Sequence, residues 1–179
     1  LPGISIGDDT IINKDAALEN GELNPWYYEM QQLGFNYRIT DIQCALAISQ
    51  LEKLETFIDR KKEIVLQYDK LFENNDFCLS TQKEYRNVSA YHLYVLRIDF
   101  SKTSISRREL MNCLFEEGIG TQVHYIPIPI HPYYQKKGIF LSDFPVMENY
   151  YAEALSIPLY YGLTDELVKI VYESITEKL

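Results

Sequence analysis

The sequence predicts an α+β fold in which a small sheet is covered by helices. Three observations carry this expectation. Apolar residues recur at three- and four-residue steps from Asp41 to about Phe72, the longest helical pattern in the chain. Thr40 with Gln43, and Ser106 with Glu109, have the spacing of capping boxes, so a helix opens at each place. The remaining β-like runs are short and separated, giving the order helix, strand, helix, strand, loop, helix, strand, helix.

Taken in order, residues 1–32 mix Pro2, Gly3, Gly7, Gly21 and Pro25 with polar side chains. They read as loop with one strand or helical turn. Trp26, Tyr27 and Tyr28 form an aromatic cluster expected to pack against the helix that follows. The chain then turns at Gly34-Phe35-Asn36-Tyr37-Arg38-Ile39-Thr40-Asp41. Gly34 supplies a backbone position free of Cβ sterics. Asn36 and Arg38 are presented beside a helix start, where free N–H groups and the positive dipole end meet anions. The same residues also read as a plain cap with a surface arginine.

From Asp41 onward, Leu51, Leu54, Phe57, Ile58, Val65, Tyr68, Leu71 and Phe72 make the apolar stripe. Glu52, Lys53, Asp59, Arg60, Lys61 and Lys62 take the solvated face. Ala45, Leu46 and Ala47 suit close helix packing. The length predicts one long bent helix, or two with a break near Thr56, ended by Asn74-Asn75. Tyr91 to Phe100 reads as a strand, with His92 a structural residue on it. Ser106 opens a helix that Gly118 closes. Ile119 to Tyr125 is short and β-like. Pro127, Pro129 and Pro132 forbid regular structure through an aromatic loop ending in Tyr133-Tyr134. A helix covers about Pro145 to Ala154, a short strand Leu155 to Leu159, and Thr164 caps the last helix with Asp165 and Glu166 complementing its dipole.

Composition narrows the classes of function. A chain of 179 residues suffices for one domain or a small pair. Fifteen tyrosines suit half-wet interfaces better than a dry core. A net charge of −9 argues against nucleic-acid binding, which needs a basic face. No apolar run approaches the roughly 18 residues of a membrane span, and no signal-peptide pattern is visible, so a cytoplasmic protein is expected. The start at Leu1 suggests a fragment or a processed product. Cys44, Cys78 and Cys113 are far apart and read as reduced thiols. The three histidines are not at metal-ligand spacing, so no metal is expected.

The run from Leu33 to Leu51, LGFNYRITDIQCALAISQL, resembles the G-x-N-Y-R…A-L-x-x-x-Q-L signature of sugar-nucleotide aminotransferases of the DegT family. These are pyridoxal-phosphate (PLP) enzymes of the aspartate aminotransferase fold. Gly118-Ile119-Gly120-Thr121-Gln122-Val123-His124-Tyr125 and Leu155-Ser156-Ile157-Pro158-Leu159 resemble that family's later motifs, so the likeness runs through nearly the whole chain. The Gln122-Val123-His124-Tyr125 form is most similar to the UDP-4-keto sugar aminotransferases of pseudaminic acid synthesis. Pro2-Gly3-Ile4 stands where the family often has H-G-I, so that histidine is absent.

The resemblance implies the C-terminal portion of a fold-type I PLP enzyme. Residues 1–40 would be the tail of the large PLP-binding domain and hinge, 41–72 a long connecting helix, and 73–179 a small domain with an antiparallel sheet covered by helices. The family's N-terminal domain supplies the Schiff-base lysine and the acid beside the pyridine nitrogen. Lys61 and Lys62 do not resemble that lysine's motif. The chain is therefore expected to hold no catalytic residue and to be inactive alone. The implied reaction moves an amino group, from glutamate, to a nucleotide-linked 4-keto-6-deoxy sugar for surface glycan synthesis, in a homodimer.

Site residues follow from the same resemblance. Asn36 would reach the cofactor phosphate of the neighbouring subunit. Arg38, His124 and Tyr125 would bind substrate. Alternatives stand beside these. Arg38 either contacts substrate phosphates or locks the turn through an ion pair. His124 and Tyr125 either donate to a diphosphate, or satisfy a buried carbonyl and pack, respectively. His131 reads as a turn residue. A second class of function is a non-catalytic sugar-nucleotide-binding or oligomerisation module.

Overall fold

The structure, a computed structural model, describes residues 4–5, 11–35, 37–80 and 88–179. It divides into two units, Leu1–Glu52 and Lys53–Leu179.

In the first unit, β1 (Ile4–Ser5) is followed by a single helical turn, α1 (Lys14–Ala17), capped by the Asn13 side chain. Strands β2 (Leu18–Glu19) and β3 (Glu22–Leu23) form a hairpin, and β4 (Glu29–Met30) pairs antiparallel with β1. The hairpin closes on Asn20-Gly21, with φ of 54° and 86°. Two consecutive positive φ values define a turn whose twist matches the flanking strands, and Asn-Gly is the pair that adopts it most cheaply.

Glu29 organises this unit. Its carboxylate accepts the Ile12 N–H at 2.6 Å, the Asn13 N–H at 3.1 Å, the Tyr27 hydroxyl at 2.9 Å and the Gln31 amide at 2.7 Å. The Ile12 bond first, then Gln31, Asn13 and Tyr27, hold the carboxyl down at about 2, because each favours the charged form.

Helix α2 (Asp41–Leu51) starts with the expected capping box: the Gln43 N–H donates to Thr40 Oγ1 at 3.4 Å and the Thr40 N–H to Gln43 Oε1 at 2.9 Å. None of its residues is buried. Close packing at Ala45, Leu46 and Ala47 is therefore not found. Ile42, Leu46, Ile48 and Leu51 are spread around the helix instead of gathering in one stripe, so no single face can bury them. The aromatic cluster does not pack as expected either, for Trp26 and Tyr28 are exposed.

The long helical pattern is two helices, and the break falls at Glu52–Lys53 rather than near Thr56. Helix α3 (Leu54–Phe72) opens the second unit. The residues that reach the core are confined to its second half, Ile64, Val65, Tyr68 and Phe72, while Leu51 and Leu54 are exposed.

The second unit is built on one antiparallel sheet in the order β5 (Cys78–Ser80), β6 (Tyr94–Ile98), β7 (Ala154–Ile157). The register pairs Tyr94 with Ile157, Leu96 with Leu155, Val95 with Ser156 and Arg97 with Ala154. Alternation then separates two faces. Tyr94, Leu96, Ile98, Leu155 and Ile157 enter the core. There they join α3, α4 (Arg107–Glu116) and α7 (Asp165–Thr176), which contribute Leu110, Leu114, Val168, Val171 and Ile175. Each such side chain, fully buried, contributes roughly 1.5–3 kcal/mol. Val95, Arg97, Ala154 and Ser156 take the opposite face.

Local signals set the helix ends. Ser106 and Glu109 form the second capping box. Gly118, at φ 79°, closes α4: its N–H bonds Phe115 O at 3.0 Å and the Ile119 N–H bonds Leu114 O at 2.8 Å, a Schellman pair. Thr164 Oγ1 accepts the Leu167 N–H at the start of α7. The proline-rich stretch is more regular than expected. It holds a 3-10 turn at Ile128–Ile130 and the short helix α5 (Pro132–Gln135), because a proline at the first helical position loses no hydrogen bond. Helix α6 (Pro145–Glu153) leads directly into β7. His92 is exposed and precedes β6 rather than lying on it.

Arg60, expected on a solvated face, instead ties α3 to the start of α7. Its guanidinium donates to Leu163 O and to Asp165 Oδ1, both at 2.7 Å, and to Glu63 at 2.9 Å.

Candidate functional site

The outer face and edge of β7 carry the site. The segment after α4 comes alongside β7 through one bridge. The Gln122 N–H donates to Ser156 O at 3.1 Å, and the Ser156 N–H returns to Gln122 O at 2.8 Å. This bridge is all that forms of the expected Ile119–Tyr125 strand. It brings His124 to the Ser156 side chain, with His124 Nδ1 2.8 Å from Ser156 Oγ.

His124 is half-buried and Ser156 is only 5% exposed. Tyr125 is 73% exposed, and its ring stands edge-on to His124 at 4.8 Å between centroids and 86° between planes. The peptide joining them is cis. The structure thus brings His124 and Tyr125 together as a pair. His124 satisfies a hydroxyl rather than the buried carbonyl considered from sequence, and Tyr125 keeps its phenol accessible. One imidazole nitrogen is engaged by Ser156, leaving Nε2 and the phenol as two hydrogen-bonding groups at the sheet edge. Such a pair can hold an anionic oxygen.

The frame behind this pair is braced by charge. Arg97 on β6 bonds Glu153 Oε2 through Nε at 2.6 Å. Arg107, the first residue of α4, closes the end of α6. Its Nη1 donates to the carbonyls of Tyr151 and of Ala154, the latter at 3.2 Å, and its guanidinium lies 4.9 Å from the Tyr151 ring centre. These carbonyls belong to the last turn of α6 and the first residue of β7, where a cation is favoured by the helix dipole. Below β7, the buried Tyr68 hydroxyl donates to Pro158 O at 3.1 Å, and burial pushes that phenol up.

In the first unit, Arg38 is exposed and makes no ion pair among the described residues. Phe35 and Tyr37 are exposed and stack at 5.2 Å. Asn36 lies outside the described residues. Lys61 and Lys62 are half-buried on α3, and Lys62 lies 3.7 Å from Asp59. His131 is exposed at the turn that begins α5. Among the described residues no group of three His, Cys, Asp or Glu is placed to hold a metal, and no helix is long and apolar enough to cross a membrane.

Sequence reasoning missed Ser156, Arg97 and Arg107 as parts of this arrangement. Ser156 had a visible signal: it is the one hydroxyl within the Leu-Ser-Ile run of a short buried strand.

Comparison with known proteins gives a consistent picture. The sequence profile of the DegT/DnrJ/EryC1/StrS aminotransferase family matches residues 6–176. The spore coat polysaccharide biosynthesis protein SpsC of Bacillus subtilis is 38% identical over 154 residues, which are 85% of this chain and 40% of that protein. A Campylobacter jejuni protein named UDP-4-amino-4,6-dideoxy-N-acetyl-beta-L-altrosamine transaminase is 36% identical over 160 residues, 86% of this chain and 41% of that protein. Among solved structures, the putative sugar aminotransferase Spr1654 of Streptococcus pneumoniae in its PMP form superposes with a TM-score of 0.75 at 25% identity, covering 85% of this chain and 38% of that one. Helicobacter pylori PseC, an aminotransferase involved in the biosynthesis of pseudoaminic acid, gives 0.73 at 26% identity, covering 88% and 42%. The chain thus spans about two fifths of the length of the relatives it matches. On this match, the chain belongs to the DegT/DnrJ/EryC1/StrS aminotransferase family.

Proposed function

We propose that this chain forms the C-terminal part of a PLP-dependent sugar-nucleotide aminotransferase, with residues 1–40 belonging to the end of its cofactor-binding domain. The enzyme moves the amino group of glutamate to the C4 carbonyl of a nucleotide-linked 4-keto-6-deoxy sugar for surface glycan synthesis, and glutamate leaves as 2-oxoglutarate. It acts as a cytoplasmic homodimer. The lysine that carries the cofactor is supplied by sequence outside this chain.

The observation that carries the reading is the His124–Tyr125 pair, a half-buried imidazole held by Ser156 beside an exposed phenol. Two donors set side by side suit the diphosphate of a nucleotide sugar. The names of the Campylobacter relative and of PseC support the sugar class. When bound, PLP supplies the carbonyl and electron sink that carry the amino group. The residue of this chain that would meet its phosphate is Asn36, just before α2 in the sequence, reaching the phosphate held by the other subunit. The exposed guanidinium of Arg38 suits a phosphate of the nucleotide-sugar substrate.

The test uses the complete enzyme with a UDP-linked 4-keto-6-deoxy sugar and glutamate. Stoichiometric appearance of the 4-amino sugar and 2-oxoglutarate is expected, and no transfer to any nucleotide-linked keto sugar refutes the proposal. Subunit mixing separates the role of Asn36. A subunit lacking the cofactor lysine is combined with one carrying Asn36→Ala. If Asn36 acts across the interface, each mixed dimer regains one intact site and activity returns. If Asn36 serves its own subunit, mixed dimers stay inactive and the cross-subunit role is lost.

A further inference from the structure

The buried hydroxyl of Ser156 has one side-chain partner among the described residues, His124 Nδ1 at 2.8 Å. Its own backbone N–H and C=O are committed to Gln122. A buried hydroxyl proton left without an acceptor is costly. In a neutral imidazole only the nitrogen without a proton accepts. The Ser156 hydroxyl therefore satisfies its proton by donating to Nδ1. The reverse arrangement, with Nδ1–H donating to Oγ, would leave the proton of this buried hydroxyl without an acceptor among the described residues, since Oγ has no other hydrogen-bond partner there.

We infer that Ser156 is a positioning residue that holds His124 as the Nε2–H tautomer, so that the ring offers a donor to an acceptor-only group such as a phosphate oxygen. This rests on the reading of His124 as a substrate contact and adds to it the atom that makes the contact. The Tyr125 ring stands edge-on to the imidazole, its centroid 4.8 Å away. A group that needs an acceptor from His124, such as a sugar hydroxyl donating its proton, is disfavoured by the same tautomer. The tautomer thus suits an oxygen that can only accept, as those of a diphosphate do.

The test has two parts. The complete enzyme is prepared with isotope-labelled histidine, and long-range proton–nitrogen correlation spectra read the tautomer of His124, assigned by its disappearance in His124→Gln. A protonated Nε2 with an unprotonated Nδ1 is expected. A protonated Nδ1 overturns the inference, and this part needs no change at Ser156. In the second part, Ser156→Ala raises KM for the nucleotide sugar roughly two- to tenfold, the loss of one ordinary hydrogen bond, while KM for the amino donor stays the same. That increase disappears in a His124→Gln background, where nothing remains to be positioned. An increase that persists there undiminished shows a packing role for Ser156 and overturns the inference. Failure of the underlying substrate reading looks different. His124→Gln then leaves the sugar-nucleotide KM unchanged, while the wild-type tautomer still decides whether Ser156 sets the ring.

Discussion

Replacing Arg107 by alanine tests whether the junction between α6 and β7 is held by one side chain. Arg107 Nη1 donates to Tyr151 O and, at 3.2 Å, to Ala154 O; the Ala152 carbonyl at 3.5 Å is marginal. Hydrogen bonds from a charged donor contribute roughly 1.5–3 kcal/mol. A cation at a helix C-terminus adds roughly 0.3–1 kcal/mol, and its place over Tyr151 roughly 0.5–1 kcal/mol. The contributions share one group and do not sum in full, so Arg107→Ala is expected to destabilise the second unit by about 2–3 kcal/mol. With a denaturation slope of roughly 2 kcal/mol per molar urea, the midpoint followed by circular dichroism falls by about 1 M. Arg107→Lys keeps the charge but not the planar fork, so it recovers about 1 kcal/mol of that loss through the dipole alone. A midpoint for Arg107→Ala within about 0.2 M of wild type refutes the bracing role. Full recovery by lysine also counts against it, since charge alone would then suffice.

Two further outcomes follow from titrating groups. Glu29 has a folded-state value held down at about 2, against an ordinary 4.5, by the Ile12 N–H first and then by Gln31, Asn13 and Tyr27. Because the folded value is depressed, its stabilising effect is fully present above pH 4.5 and is lost as pH falls toward 2; the amide of Ile12 should therefore lose exchange protection in that window, and an ordinary titration of Glu29 near 4.5 contradicts the hub. Burial pushes the Cys78 thiol up to about 12, so a thiol reagent at neutral pH should label Cys44 and Cys113 in the folded chain and Cys78 only after denaturation. Equal labelling of all three without denaturant refutes the buried placement.

Much of the helical framework was legible because its decisive signals are local. Thr40 with Gln43, Ser106 with Glu109, Thr164 and Gly118 each complete their hydrogen bonds within a few residues, and each does so as the spacing implies. Arg60 was misread, and Arg107 passed over, for the opposite reason. Their partners lie 103 and 105, and 44 and 47, residues away, so in sequence they are only charges on helices. The break at Glu52–Lys53 was misplaced because the helical periodicity of the sequence continues through it, with no Gly or Pro to mark it. The Asn20-Gly21 turn was visible in principle but was absorbed into a general reading of residues 1–32 as loop. The family motifs cover both Asn36, which lies outside the described residues, and Ser156, but they could not give Ser156 its role, which depends on which face of β7 it occupies.

That placement gives β7 two jobs in four residues. Leu155 and Ile157 complete the core while Ser156, between them, meets His124. Since side chains alternate with a period of two, a shift of one residue in register would send the hydroxyl into the core and a leucine or isoleucine to the imidazole. Insertions and deletions within the strand are thus barred twice over, once by stability and once by the site. Evolution can lengthen the loops on either side of β7, and so remodel what approaches His124, but it cannot slide the strand itself.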